Sequence, residues 1–230
     1  MKKKRGFFFG LCIVLDLLII LSQQPLLAQT KETPDSVRFK ALGCMFRAIK
    51  SVNDRNVRLQ GLQKELDAMQ PLAPQNMDST HFALNLIQVG KYLRFLQSHR
   101  EELAKNLHAV TDSIRLLEKL MNSEEEKKAL EEFLIAYREE SSAFTGYSQR
   151  LSLMVTDIRS ALTFLQTVPM TRKGNDVTFN TDKSANEKYL DYESKISVEQ
   201  SQVDVAIDKT VKLSEKENKA IQLVTDILNK

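Results

Sequence analysis

Residues 82–121 read FALNLIQVGKYLRFLQSHREELAKNLHAVTDSIRLLEKLM, and residues 130–168 read LEEFLIAYREESSAFTGYSQRLSLMVTDIRSALTFLQTV. In the first stretch a ladder of alternating three- and four-residue steps runs Phe82, Leu86, Val89, Leu93, Leu96, Arg100, Leu103, Leu107, Val110, Ile114, Leu117, Met121. The second runs Leu130, Phe133, Tyr137, Glu140, Phe144, Tyr147, Leu151, Met154, Ile158, Ala161, Leu165, Val168. Each ladder has a single charged rung, Arg100 in one and Glu140 in the other. Apolar residues at this spacing keep one stripe on one side of a helix. Both stretches therefore read as long helices packed lengthwise on partners. Leu84, Ile87, Phe95, Leu116 and Leu120 widen the first stripe; Leu134, Leu162 and Phe164 widen the second. A wide stripe faces more than one neighbour, which favours a bundle over a two-stranded coil.

The residues between the ladders set their relation. Ser123 followed by Glu126 is a capping box. Glu124, Glu125 and Glu126 suit the positive end of a new helix dipole. A turn of two or three residues near Asn122 makes the two helices an antiparallel hairpin.

Two further helices flank the hairpin. One is expected from about Asp35 to Gln70, capped by Asp35 or Ser36, with Met45, Val52, Leu59 and Leu66 recurring every seven residues. Pro71 and Pro74 end it, because proline lacks the N–H that a helix interior needs. Asp78 or Ser79 caps the next helix. Pro169 ends the third, and residues 170–183 read as a loop with a short extended piece at Val177-Thr178-Phe179. The fourth helix is expected from about Ser184 to Leu228. Its rungs include Glu199, Thr210 and Glu217, so it packs most weakly. The expected fold is all-α: an elongated up-down-up-down bundle of four long helices with coiled-coil-like packing. Residues 35–230 form a single domain behind a polar leader at 29–34.

Residues 1–28 have the layout of a cleavable export signal. Lys2, Lys3, Lys4 and Arg5 precede an apolar run from Phe7 to Leu21, and Ala28 offers a cut before Gln29. A retained anchor is the rival reading. The apolar run is short for a membrane span, and Asp16 near its middle opposes stable insertion. Cys12 lies inside the apolar run after Leu11, which is not where a lipidated cysteine sits. Export places the mature chain in the periplasm or outside the cell.

Removing four basic residues and one acid from totals of 33 and 30 leaves 29 of each in the mature chain. A net charge of zero gives no footing for nucleic-acid binding. Cys44 is the one cysteine left, so no intramolecular disulfide is available.

Catalytic and metal signatures are missing. His81, His99 and His108 are spaced so that no two could share a metal along one helix. No Glu-x-x-His, His-Glu-x-x-His, Cys pair or Gly-x-Ser-x-Gly occurs, and the mature glycines are too scattered for a phosphate loop. The many carboxylate pairs read as solvated helix faces. No enzyme activity and no cofactor are expected.

Two sets of residues stand out. In the expected topology the loops at 71–78 and 169–183 share one end, where Arg172, Lys173 and Phe179 are the candidate partner anchors. Reflected through the turn near Asn122, Arg100 and Glu140 are a candidate seam pair; the alternative is that both reach out to water. The expected function is that of an exported, non-enzymatic adaptor or structural component of a cell-envelope or secretion assembly. Its partners would be envelope proteins or further copies of itself. A secreted membrane-active bundle, part of a pore-forming toxin system, is the alternative, and peripheral membrane contact stays open under either reading.

Overall fold

A computed structural model describes residues 33–73, 78–173, 176–179 and 183–228 of the 230-residue chain. The expected export segment at 1–28 lies outside the described residues, as do leader residues 29–32. Four long helices pack in sequence order as an all-α four-helix bundle. They are α1 (Pro34–Met69), α2 (Ser79–Glu118), α3 (Glu124–Thr167) and α4 (Lys183–Leu228).

The helix ends follow from local chemistry. Thr33 starts α1: the Ser36 N–H donates to Thr33 Oγ1 at 3.3 Å and the Val37 N–H to the Thr33 carbonyl at 3.1 Å. This replaces the expected cap at Asp35 or Ser36. Pro34 becomes the first helical residue, where its missing N–H costs nothing. The helix stops at Met69, and Gln70 takes a left-handed φ of 40° ahead of Pro71. Asp78 caps α2, accepting the His81 N–H at 2.9 Å. The capping box is formed: Glu126 N–H donates to Ser123 Oγ at 3.1 Å, and Ser123 N–H to Glu126 Oε2 at 3.2 Å.

Antiparallel neighbours show in the cross-helix pairs. Asn56 and Glu65 of α1 meet His99 and Tyr92 of α2, so rising numbers face falling ones. Arg100 of α2 meets Ser148 of α3. Arg150 and Phe164 of α3 meet Glu199 and Tyr192 of α4. Between α3 and α4 the chain adds a small antiparallel ribbon, β1 (Met170–Lys173) and β2 (Asp176–Phe179), in the register Met170–Phe179 to Lys173–Asp176. Only an extended piece at 177–179 was expected there. The two-residue spacing Gly174-Asn175 is the hairpin signal in the sequence.

The ladders are the interior. Every rung of the α3 ladder is buried except the half-buried Val168, and every rung of the α2 ladder is buried or half-buried. The expected widening of the α2 stripe needs correction. Leu84, Ile87 and Leu116 are exposed, at 60%, 58% and 40%. A polar row is buried in their stead: Asn85, Tyr92, His99, Asn106 and Ser113, at seven-residue spacing. Leu134 and Leu162 do widen the α3 stripe inward.

The chain forms two compact units, and every helix contributes to both. The first holds residues up to Asn53, Ala104–Ser141 and Lys212 onward; the second holds Asp54–Leu103 and Ser142–Val211.

Candidate functional site

Each unit buries a polar centre with displaced titration. In the first unit it lies between α3 and α4. Spacing of three and four residues puts Tyr137, Glu140 and Ser141 on one face of α3, and spacing of three puts Ser214 and Glu217 on one face of α4. Tyr137, Glu140 and Glu217 are 0%, 2% and 2% exposed. The Ser214 hydroxyl donates to Glu140 Oε1. The Glu217 carboxyl is hydrogen-bonded to that of Glu140. Two carboxylates are both acceptors, so this bond requires a proton between them. Burial first, then the hydrogen bond and charge of Glu140, hold the Glu217 carboxyl well above the ordinary range. Among the described residues neither Glu140 Oε2 nor Glu217 Oε1 receives a proton from a neighbouring N–H or hydroxyl group. The Tyr137 hydroxyl is pushed up by burial and then by Glu217 and Glu140, so it stays protonated.

The second unit carries the opposite polarity. His99, with no exposed surface, shares its Nε2–H with Asn56 Oδ1 at 3.1 Å. That bond assigns the Nε2-protonated tautomer and leaves Nδ1 bare, without a donor or acceptor beside it. Burial, then Arg55 and Arg100, depress the imidazole to about 4. Arg55 donates to Ser98 Oγ at 3.3 Å. Arg100 donates to the Ser148 carbonyl and Oγ, both at 3.4 Å. Ser148 Oγ in turn donates to the Leu96 carbonyl at 3.3 Å.

These centres revise the seam pair. Arg100 and Glu140 each have partners other than one another: Arg100 has Ser148, and Glu140 has Ser214 and Glu217. Reflection through the turn placed Glu140 beside α2. It could not show that α4 brings a second acid to the same carboxyl. The alternative of reaching water fails for Glu140, which is buried, while Arg100 is half-buried.

Of the candidate loop anchors, Phe179 is tied down. Its ring lies 6.4 Å from Phe164 and 5.5 Å from Tyr189, and Phe164 lies 5.9 Å from Tyr192. These tilted contacts hold the half-buried ring against α3 and α4. The backbone of Arg172 and Lys173 forms β1; their side chains lie outside the described residues.

Each unit has a shallow opening. In the first unit a groove of about 330 Å³ runs between α3 and α4, lined by Glu132, Ile135, Ala136, Lys216, Lys219, Ala220 and Leu223. In the second, about 170 Å³ lies beside Arg58, whose guanidinium stands 4.9 Å from the centre of the Phe95 ring. Cys44 is a half-buried free thiol. Among the described residues no group of three or more His, Cys, Asp or Glu side chains is placed to hold a metal ion. Among them no helix is long and apolar enough to cross a membrane. Shut from solvent, the acid pair and His99 can hold or refuse a proton.

No family model, curated protein or solved structure matches the chain.

Proposed function

We propose that the protein is an exported, non-enzymatic helical bundle that serves as a structural or adaptor component of a cell-envelope or secretion assembly. The observation that carries this reading is how the seam is used. Each twelve-rung ladder gives up one position to charge: Glu140 is sealed from solvent together with Glu217 of α4, and Arg100 is half-buried. A catalytic group has to reach its substrate, so an interior of this kind favours packing over chemistry. The export-signal layout of residues 1–28 supports the compartment. The balanced mature charge supports protein surfaces as partners over nucleic acid.

Fractionation of cells expressing the tagged full chain tests the compartment, with a tagged variant lacking residues 1–28 beside it. The expected result is a shortened envelope or secreted form from the full chain and retention of the variant in the cytoplasm. Cytoplasmic full chain would overturn the export reading. Leakage of dye from anionic vesicles at micromolar protein would instead favour the membrane-active alternative.

A further inference from the structure

We propose that the groove between α3 and α4 of the first unit is a self-association surface. Its occupant is the same groove of a second copy, related by a two-fold axis running along the helices. The inference is independent of the compartment in which the protein works.

The floor of the groove is apolar: Ile135 and Ala136 from α3, Ala220 and Leu223 from α4. Ile135 and Leu223 are large side chains left 45% and 40% exposed. Solvating them is unfavourable, and a cover would remove that cost. The walls differ in sign. α3 supplies Glu132, followed about two turns on by Glu139; α4 supplies Lys216 and Lys219. Glu139 and Lys216 already pair at 2.6 Å across the two helices. Among the described residues, those without a close ion-pair partner are Lys219 on one wall and Glu132 on the other. Glu132 has only a loose contact with Lys128 at 4.0 Å, and its side chain is 52% exposed.

A surface with an acidic wall and a basic wall selects its own mate. In a two-fold interface the same patch meets itself. With the axis perpendicular to the helices, acid faces acid and lysine faces lysine. With the axis along the helices, the acidic wall of each copy lies over the basic wall of the other, and the two apolar floors meet. Glu139 faces Lys216 along α3 and α4, so Glu132 stands level with about residue 223. Lys219 of the other copy is then about four residues away, or ~6 Å along the axis, within reach of a lysine side chain. The dimer contains this contact twice. A stable interface buries roughly 1,600 Å² in total, and one centred on a short groove falls at the small end. The expected dissociation constant is therefore in the micromolar range, on the order of 10–100 μM.

Sedimentation equilibrium on the full chain, expressed with its own N-terminus and purified in the form the host produces, tests this from about 1 to 500 μM, a range set to bracket that constant. A monomer–dimer equilibrium is expected, weakened by salt. Glu132→Lys alone and Lys219→Glu alone each place like charges in both contacts and should weaken the dimer about tenfold or more. An equimolar mixture of the two single variants should recover dimer, because each hybrid contact again joins opposite charges. Ile135→Lys should abolish association. Circular-dichroism melts of the variants confirm folding, since all three positions are exposed. A wild-type chain that is monomeric throughout overturns the proposal. So does a dimer indifferent to either charge reversal, or a mixture no more dimeric than its components.

Discussion

The two units solve the same electrostatic problem with opposite signs. One encloses two carboxyl groups with no base acting on Glu217 among the described residues; the other encloses an imidazole beside two arginines. Glu217 and His99 are each held in the uncharged form. The acid pair keeps a proton that a solvated carboxylate would shed, and His99 refuses one that a solvated imidazole would take. The lesson is that burial, more than residue type, decides the charge state. In each case desolvation is the largest cause and the neighbouring charges add to it.

The pairing has a consequence for stability against pH. Below its ordinary pKa of 6.5 the imidazole of an unfolded chain takes up a proton, while buried His99 does not until about 4. Stability from His99 is thus complete above 6.5 and is lost as pH falls toward 4. Glu217 acts in reverse. Above 4.5 the carboxyl of an unfolded chain releases its proton while buried Glu217 keeps it. Its contribution is complete below 4.5 and is lost as pH rises toward its folded value. Where both groups are displaced, their slopes against pH have opposite signs and oppose one another.

Breaking one side should expose the other. The largest expected effect belongs to His99→Asn. Relative to wild type it should gain stability on acidification from pH 6.5 to 4, by on the order of 3 kcal/mol. Urea unfolding at half-unit pH steps measures it; a difference that does not change with pH would mean that His99 is not buried neutral. Glu217→Gln comes next. It should be more stable than wild type at pH 8 by about 1 kcal/mol or more, with an advantage that shrinks as pH falls to 4.5. An advantage constant from pH 8 to 4.5 would show that Glu217 does not carry a displaced proton.

Smaller effects sharpen the comparison. Arg100→Met removes one of the two charges that depress His99, so the imidazole should titrate above its wild-type value of about 4. Proton–nitrogen NMR of the ring reads this directly; an unmoved midpoint would assign the whole depression to burial and Arg55. Lys216→Ala should change stability by no more than about 0.5 kcal/mol, because the Lys216–Glu139 pair is exposed. A larger loss, appearing together with a changed pH slope, would mean that Lys216 reaches the acid pair after all.

The contrast also separates what was legible from what was not. The ladders were legible because a 3.5-residue period over twelve rungs has one physical solution. The buried row from Asn85 to Ser113 was not. Polar residues seven apart on a helix look like a solvated face, and only α1 packing there, through Asn56–His99 and Glu65–Tyr92, turns that face inward. Leu84 and Ile87 were misplaced for the same reason: once α1 takes the polar row, they are left outside. Phe179 looked like an exposed anchor because a loop was expected there. The ribbon instead lays it against Phe164 and Tyr189.

The sequence by itself determined the number of helices, their stops at Pro71 and Pro169, and the capped hairpin at Ser123. These depend on local chemistry: a missing N–H, a hydroxyl beside an orphan amide, an apolar step of three or four. Tertiary structure alone decided which charged rung met which partner. Arg100 found the Ser148 backbone and Glu140 found Glu217, seventy-seven residues away in the chain. The physical reason is rotational. A helix pattern fixes which residues share a face, but the burial of that face, and the charge state of whatever lies on it, belong to the neighbour that covers it.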